Sequence, residues 1–501
     1  MSLKKNIIAS YASQIYVTLI GIVILPLYIK YMGAEAYGLV GFFSMLQAWF
    51  NLLDLGLTPT IGRETARFRA GVGDALGFRQ LFRALHSIFL FVALIGGGGL
   101  FLFSGYVAED WLNAQNLPLA EIQLAVQIMA VSVALRWLCG LYRGVITGWE
   151  LLVWLGGFNA VIATLRFVLV VPVMWHFGAT PTVFFVYQLL VAILQIAVLF
   201  IKAKCLLPDL DAQQRIGWSF APVKPLLNFA LTIAFTSSVW VLVTQTDKLV
   251  LSGILPLEEY GYFTLAVLVA SGILVVGGPI SGAIMPRMAK LEAKSDRDGV
   301  IRIYRQSTQL VTVIAGSVAV TLVFCSEPLL WAWTGDLALS KQAAPVLSLY
   351  AIGNGILSVA AFPYYLQYAE GNLRLHFIGH LLLLVILIPS IVVAANYYGA
   401  IGAGYAWVSV NALYLFLWVA VVHRKLVPGL HLKWLGKDVA VIFIPMTFVG
   451  LVMSLFDLSA TSRLGCLIYV MFFGLFVIML ATLLSPNTRS SVSKITRRTA
   501  V

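Results

Sequence analysis

The chain has 501 residues, of which 60% are hydrophobic and 11% charged. So little polar surface cannot cover a water-soluble globule of this size, so the solvent of the fold is mostly lipid. The formal net charge of +12 would suit nucleic acid only if the basic residues gathered on one exposed face, and they are dispersed between apolar runs instead.

A membrane crossing needs about 20 apolar residues. Runs of that length predict fourteen helices, over 6–29, 38–58, 83–105, 121–143, 152–174, 182–202, 226–251, 260–281, 308–331, 343–366, 375–396, 401–422, 438–457 and 464–484. The segments between them are short and leave no room for a sizeable soluble domain; the longest fall near 60–82, 203–225 and 282–307.

Lys4 and Lys5 precede the first run in the manner of a signal peptide, but no A-x-A-like cleavage site follows, so the segment is expected to stay. In place of arginines, helix one offers Ser10, Ser13, Gln14 and Thr18 within its apolar run. Helix two ends in L-L-D-L-G-L at 52–57, where Asp54 can titrate, pair with a cavity arginine or serve a helix contact. Arg63 and Arg67 follow at i and i+4 and share one helical face. In helix three, Gly96 to Gly99 allow close packing or a hinge.

Helix four carries Arg136 near one end, and helix five carries Arg166 fourteen positions in, about 21 Å from its start at 1.5 Å per residue. A charge at that depth costs at least about 2.5–3.5 kcal/mol, so it faces a wet cavity or a partner. Arg166 is therefore either a cation lining the cleft that meets phosphate or acidic sugar, or a structural arginine held by a carboxylate or backbone carbonyl or snorkelling outward. Asp247 and Lys248 lie near the far end of helix seven, on directions about 100° apart. Asp247 is a candidate for a coupling H⁺ or Na⁺ and equally for a helix-interface contact.

Arg287 and Lys290 follow helix eight at i and i+3 and repeat the Arg63/Arg67 arrangement. Glu327, beside Pro328, reads as an interfacial residue. His376 and His380 have metal-like spacing but no third ligand nearby, and G-A-I-G-A-G at 399–404 has no preceding strand, so neither is read as a site. Cys139, Cys205, Cys325 and Cys466 form no C-x-x-C pair and read as packing residues. Pro26, Pro172 and Pro389 mark candidate kinks.

Orientation follows from Lys and Arg, which cytoplasmic segments retain. With a cytoplasmic N-terminus, all of the 33 basic residues except Lys30, Arg166, Lys248, Lys341 and Arg463 fall on the cytoplasmic side or its helix ends. Both termini are thus predicted to be cytoplasmic, and the excess charge is an orientation signal. A repeat is also visible. K-Y-M-G-A-E-A-Y-G-L-V-G-F from Lys30 aligns with G-I-L-P-L-E-E-Y-G-Y-F-T-L from Gly253, placing Tyr37-Gly38 over Tyr260-Gly261 at an offset of 223, and H-F-G-A from His176 aligns with Y-Y-G-A from Tyr397 at an offset of 221. Six helices in each repeat make the halves parallel in the membrane. The predicted fold is an all-α polytopic membrane protein: six-helix bundles at 1–205 and 226–425 around a central cleft, a cytoplasmic linker at 206–225, a two-helix appendage at 426–485 and a cytoplasmic tail at 486–501.

The Y-M-G-A-E-A-Y-G turn at 31–38, L-L-D-L-G-L at 52–57 with R-E-T-A-R at 63–67, T-D-K-L-V-L-S-G-I-L at 246–255 and A-I-M-P-R-M-A-K at 283–290 give the chain its family likeness. In order and spacing they resemble the oligosaccharide flippases of the multidrug/oligosaccharidyl-lipid/polysaccharide exporter superfamily. The resemblance covers most of the chain. It implies a bacterial inner-membrane flippase that moves undecaprenyl-pyrophosphate-linked O-antigen or exopolysaccharide units to the periplasmic leaflet by alternating access, without covalent chemistry or a cofactor. It also implies a lipid-linked oligosaccharide and membrane lipids as partners, with a polysaccharide polymerase as a further expected one.

On this reading the substrate-binding candidates are Arg166, Arg136, Gln14 and the paired patches Arg63/Arg67 and Arg287/Lys290, whose plain alternative is anchoring on anionic lipid. Asp247 and Asp54 are the ion-coupling candidates; an aspartate in an equivalent T-D sequence is familiar in the related family. The lipid II flippases place several arginines on their first two helices, and the absence of arginine from helix one here argues against a peptidoglycan precursor. A drug or metabolite exporter of the same fold is the first rival reading. A polymerase or ligase, which needs a long extracytoplasmic loop, is the second.

Overall fold

The computed structural model describes residues 3–210, 216–275, 277–455 and 462–486. The predicted basic cluster from Arg489 to Arg498, and Arg215 of the linker, lie outside the described residues. Among the described residues there is no strand, only an isolated bridge between Asn113 and Pro256. All-helical architecture is what lipid demands, since a backbone group with no water to bond must find its partner within its own segment.

The chain forms two compact units, Met1–Gly261 and Tyr262–Val501. The first contains α1 (Ala9–Met32), α2 (Ala34–Asp54), α3 (Leu57–Arg69), α4 (Ala75–Leu102), α5 (Leu119–Gly148), α6 (Leu152–Phe177), α7 (Pro181–Cys205), α8 (Leu227–Ser252) and the start of α9 (Leu257–Val275). The second contains the rest of α9, α10 (Gly277–Ala293), α11 (Arg297–Phe324), α12 (Leu337–Glu370), α13 (Arg374–Leu426), α14 (Leu430–Ser454) and α15 (Arg463–Leu484).

Twelve helices among the described residues are long and apolar enough to cross a membrane. The expected count of fourteen is therefore not reproduced as such. The predicted helices 375–396 and 401–422 fall in one 53-residue element, α13, whose backbone leaves helical geometry at Gly399 (φ 57°, ψ −139°). The predicted segment 226–251 coincides with α8, which is not among the twelve and several of whose side chains lie outside the described set.

Two of the expected long loops are largely helical. In the first, α3 and α4 fill most of 60–82, and in the second α10 and α11 fill most of 282–307. The apolar run sets where lipid ends, whereas the helix continues until a cap stops or restarts it. Asp74 accepts from the Gly77 amide at the start of α4, and Asp296 accepts from the Gly299 amide at the start of α11.

Breaks inside the membrane-length elements have local causes. In α1 the helix restarts after Ile24 with Pro26 in its first turn, as expected for that proline. Between α2 and α3 the chain tightens to a 3₁₀ turn at Asn51–Asp54 and then turns left-handed at Leu55 (φ 46°) and Gly56 (φ 71°). Gly56 is required twice over, because a Cβ there would also stand 2.3 Å from the Ala230 carbonyl oxygen of α8. Pro389, by contrast, sits inside α13, and the departure from helix comes later, at Gly399.

The last two helices, α14 and α15, pack on α11. Val313, Val320, Cys325, Ile442, Met446, Val470, Phe473, Val477 and Ala481 form their common core. A polar clamp accompanies it: Arg305 donates to the fully buried Asp438 through Nε (2.6 Å) and Nη2 (3.0 Å), and Gln309 adds a third bond at 2.7 Å. Gln309 in turn accepts from Ser485 at 3.0 Å.

Candidate functional site

Helix α6 departs from α-helical geometry where Arg166 sits. Residues Thr164–Val168 form a π-helical turn, with the Leu169 amide donating to the Thr164 carbonyl at 3.1 Å. Pro172, one turn on, has no N–H to offer. The register shift and the missing donor leave consecutive carbonyls to be satisfied by side chains. Tyr187 donates to the Leu165 carbonyl (3.0 Å), Gln188 Nε2 to the Arg166 carbonyl (2.8 Å) and Tyr28 to the Phe167 carbonyl (2.7 Å). Helices α1 and α7 thus hold the turn from two sides.

Arg136 of α5 reaches the same place. Its Nη1 donates to Gln47 Oε1 at 2.9 Å, its Nη2 donates to Gln188 Oε1 at 2.8 Å, and its guanidinium carbon lies 4.9 Å from the ring centre of Phe43. Arg143 follows two helical turns along α5. Arg136 and Arg143 each interact electrostatically with Arg166, so the three form one cationic cluster within the first unit. None of the three forms an ion pair with a carboxylate among the described residues, and the Nε atoms of Arg136 and Arg166 are buried without a hydrogen-bond partner there.

Of the two readings of Arg166, the structure gives no carboxylate partner among the described residues. Its guanidinium packs against the Phe167 ring at 5.2 Å. Buried cations without counter-ions are unfavourable, and buried donors left unpaired cost about 1–3 kcal/mol each. Such an arrangement can take up an anion with a net gain, and phosphate oxygens match guanidinium in geometry and charge.

The close approach of α5 to α3 seats the helix that carries Arg136 and Arg143. Gly140, Gly144 and Gly148 form a stripe at every fourth residue, and a Cβ on each would lie 2.7, 2.5 and 2.4 Å from Thr58 Oγ1, Ile61 Cγ2 and the Gly62 carbonyl oxygen respectively. Small residues at this spacing let helix backbones meet. The stripe, Arg143, Gln47 and Gln188 went unmarked in the reading of the sequence. Their signals were present as glycines at i, i+4 and i+8 and as amides inside apolar runs.

The other sequence candidates stand apart. Gln14 is exposed on α1, while its neighbour Ser13 is buried and donates to the Gly156 carbonyl at 2.9 Å. Arg63 and Arg67 are exposed on α3, and Arg67 pairs with Glu64 at 3.3 Å. Arg287 and Lys290 are exposed on α10 of the second unit. Asp54 caps α3: its carboxylate accepts from Thr58 Oγ1 at 2.5 Å and from the Thr58 amide at 3.3 Å. Asp247 is buried, and the Lys248 stem folds back so that Nζ lies 3.5 Å from Asp247 Oδ1 and 2.6 Å from the Thr244 carbonyl. Their divergent Cα directions do not keep the two charges apart. The His376 and His380 rings lie 4.0 Å apart and tilted by 54°, and no cluster of three metal-ligating side chains occurs among the described residues.

Comparison with known proteins agrees with this architecture. The family described as "Polysaccharide biosynthesis protein" matches residues 3–292. A Shigella flexneri protein named "Putative O-antigen transporter" is 20% identical over 407 residues, covering 81% of this chain and 94% of its own length. Among solved structures, the lipid II flippase MurJ in an inward closed conformation is similar with a TM-score of 0.69 at 14% identity, over 95% of this chain and 97% of that one. An inward-facing multidrug resistance MATE transporter is similar with a TM-score of 0.65 at 12% identity, over 82% and 95%. The fold is therefore the one shared by these flippases and exporters.

Proposed function

The chain belongs to the polysaccharide biosynthesis protein family, and on that premise we propose that it flips an undecaprenyl-pyrophosphate-linked oligosaccharide from the cytoplasmic to the periplasmic leaflet. The observation that carries this reading is the cluster of Arg136, Arg143 and Arg166, half-buried cations that find no carboxylate among the described residues. A pyrophosphate headgroup supplies the missing negative charge, the sugar follows it, and the polyprenyl tail stays in lipid. The similarity to an O-antigen transporter over 81% of the chain supports the same substrate class.

In this scheme access alternates between the two leaflets, both termini are cytoplasmic, and a polysaccharide polymerase consumes the product outside. Asp247 is the preferred site for a coupling H⁺ or Na⁺, being buried beside a lysine that balances its charge when no ion is bound; Asp54, already committed to capping α3, is the second.

The test is accessibility of the lipid-linked oligosaccharide to a membrane-impermeant sugar-modifying reagent in cells depleted of this protein. Accumulation on the inner leaflet, relieved by the wild-type chain and not by Arg166→Ala, is the expected result. Unchanged lipid intermediates with normal surface polysaccharide would overturn the assignment and favour an exporter of the same fold.

A further inference from the structure

Gln188 is buried, yet its amide is used at both ends in a way that only one orientation allows. A guanidinium carries donors alone, so the atom facing Arg136 Nη2 at 2.8 Å must be the carbonyl oxygen. That fixes Nε2 on the Arg166 main-chain carbonyl, also at 2.8 Å. One side chain therefore joins the side chain of one arginine to the backbone of the other. The same π turn is tied by Tyr187 on one side of Gln188's bond and by Tyr28 on the other, at 3.0 and 2.7 Å.

We propose that Gln188 is a positioning residue that sets Arg136 and Arg166 at a fixed separation and orientation, so that the pair selects a two-phosphate group over a single phosphate. The inference rests on the pyrophosphate reading of the cluster and adds to it the source of its selectivity. The chemistry demanded of position 188 is narrow. Glutamate offers oxygens to both partners and no donor for the Arg166 carbonyl; leucine offers neither. Asparagine is one methylene too short to keep both bonds. A guanidinium that loses its acceptor stays charged, so weakened positioning should leave anion binding in place and remove its preference.

Purified full-length protein permits two independent readouts. The first is hydrogen–deuterium exchange over residues 164–172, which needs no ligand. The second is titration with inorganic pyrophosphate and, separately, with orthophosphate. In Gln188→Leu the exchange of this segment is expected to rise about tenfold while distant helices exchange as before, and the ratio of pyrophosphate to orthophosphate affinity to fall about tenfold. Gln188→Glu, which preserves size and packing, controls for misfolding; it is expected to show the same local rise in exchange and to weaken both anions by placing a carboxylate against Arg136. Tyr28→Phe, which removes only the bond to Phe167, should raise exchange in the same segment with a smaller change in the ratio. If the wild-type chain binds pyrophosphate while Gln188→Leu and Gln188→Glu match it in exchange and in the affinity ratio, the positioning role is wrong and the headgroup reading stands. If the wild-type chain binds no pyrophosphate, the headgroup reading falls, and the positioning role with it.

Discussion

Gly144 and Ile61 approach each other so closely that a Cβ on the glycine would stand 2.5 Å from Cγ2 of the isoleucine and 2.7 Å from the Thr58 carbonyl oxygen. The contact seats α5 on α3 one residue beyond Arg143. Gly144→Ala is expected to destabilise the chain by about 1–3 kcal/mol through overpacking, and Gly144→Leu by more, as read from thermal unfolding in detergent. Gly157→Ala, at a position with open space around it, serves as the control and should unfold with the wild type. Equal unfolding of Gly144→Ala and Gly157→Ala would show that the stripe is not a packing constraint.

Arg143 makes a sharper case for function than for structure. Its side chain forms no ion pair with the described residues, and its charge is felt at Arg166. Replacing it with methionine removes an uncompensated cation and keeps the apolar stem, so the melting temperature should stay the same or rise. Flipping should fall at least about fivefold, since binding a multiply charged headgroup loses one charge-assisted contact of roughly 1.5–3 kcal/mol. The decisive pairing is stability and inner-leaflet accumulation measured on the same variant. A stable Arg143→Met that flips normally would remove this residue from the site.

The contrast between Arg166 and Gln188 shows how much of this was legible in the sequence. A lone arginine deep in an apolar run announces itself because lipid makes its cost high. Glutamine at 188 carries no charge and disappears into the same kind of run, although its energetic reason for being there is as strong. The π turn is less legible still, since it arises from a register shift, from Pro172 and from donors on two other helices, and periodicity within α6 encodes none of these. Span placement was read well where apolar length alone decides it. It failed beyond the apolar runs, at 60–82 and 282–307, because helices continue past the point where lipid stops. The two symmetric basic patches were legible as charges, but their exposed positions on α3 and α10 could be read only from the folded chain.

The clamp between α11 and α14 centres on a carboxylate with no exposed surface. Asp438 receives two bonds from Arg305 and one from Gln309. Asp438→Ala leaves the buried Gln309 amide without its acceptor and the partly exposed Arg305 without its partner, and should cost about 1–3 kcal/mol. The double variant Arg305→Met/Asp438→Leu should recover most of that loss, because an apolar pair of similar volume avoids the desolvation penalty. Thermal unfolding of the two variants separates the outcomes: equal loss in both would mean that the charges themselves hold α14 in place.

Orientation can be tested with the native thiols. Cys139, Cys325 and Cys466 are buried, and Cys205 is exposed at the last turn of α7, between Lys204 and the linker. Maleimides need an accessible thiol, so of the four cysteines only Cys205 is expected to react in the folded chain. The proposed orientation, which rests on the positive-inside distribution, has Lys202, Lys204 and this end of α7 in the cytoplasm. A membrane-impermeant maleimide should therefore leave intact cells unlabelled and label inside-out vesicles, with Cys205→Ser abolishing the signal in the vesicles. Labelling in intact cells that Cys205→Ser removes would invert the topology, place both termini outside, and reverse the direction in which the arginine cluster is reached by substrate.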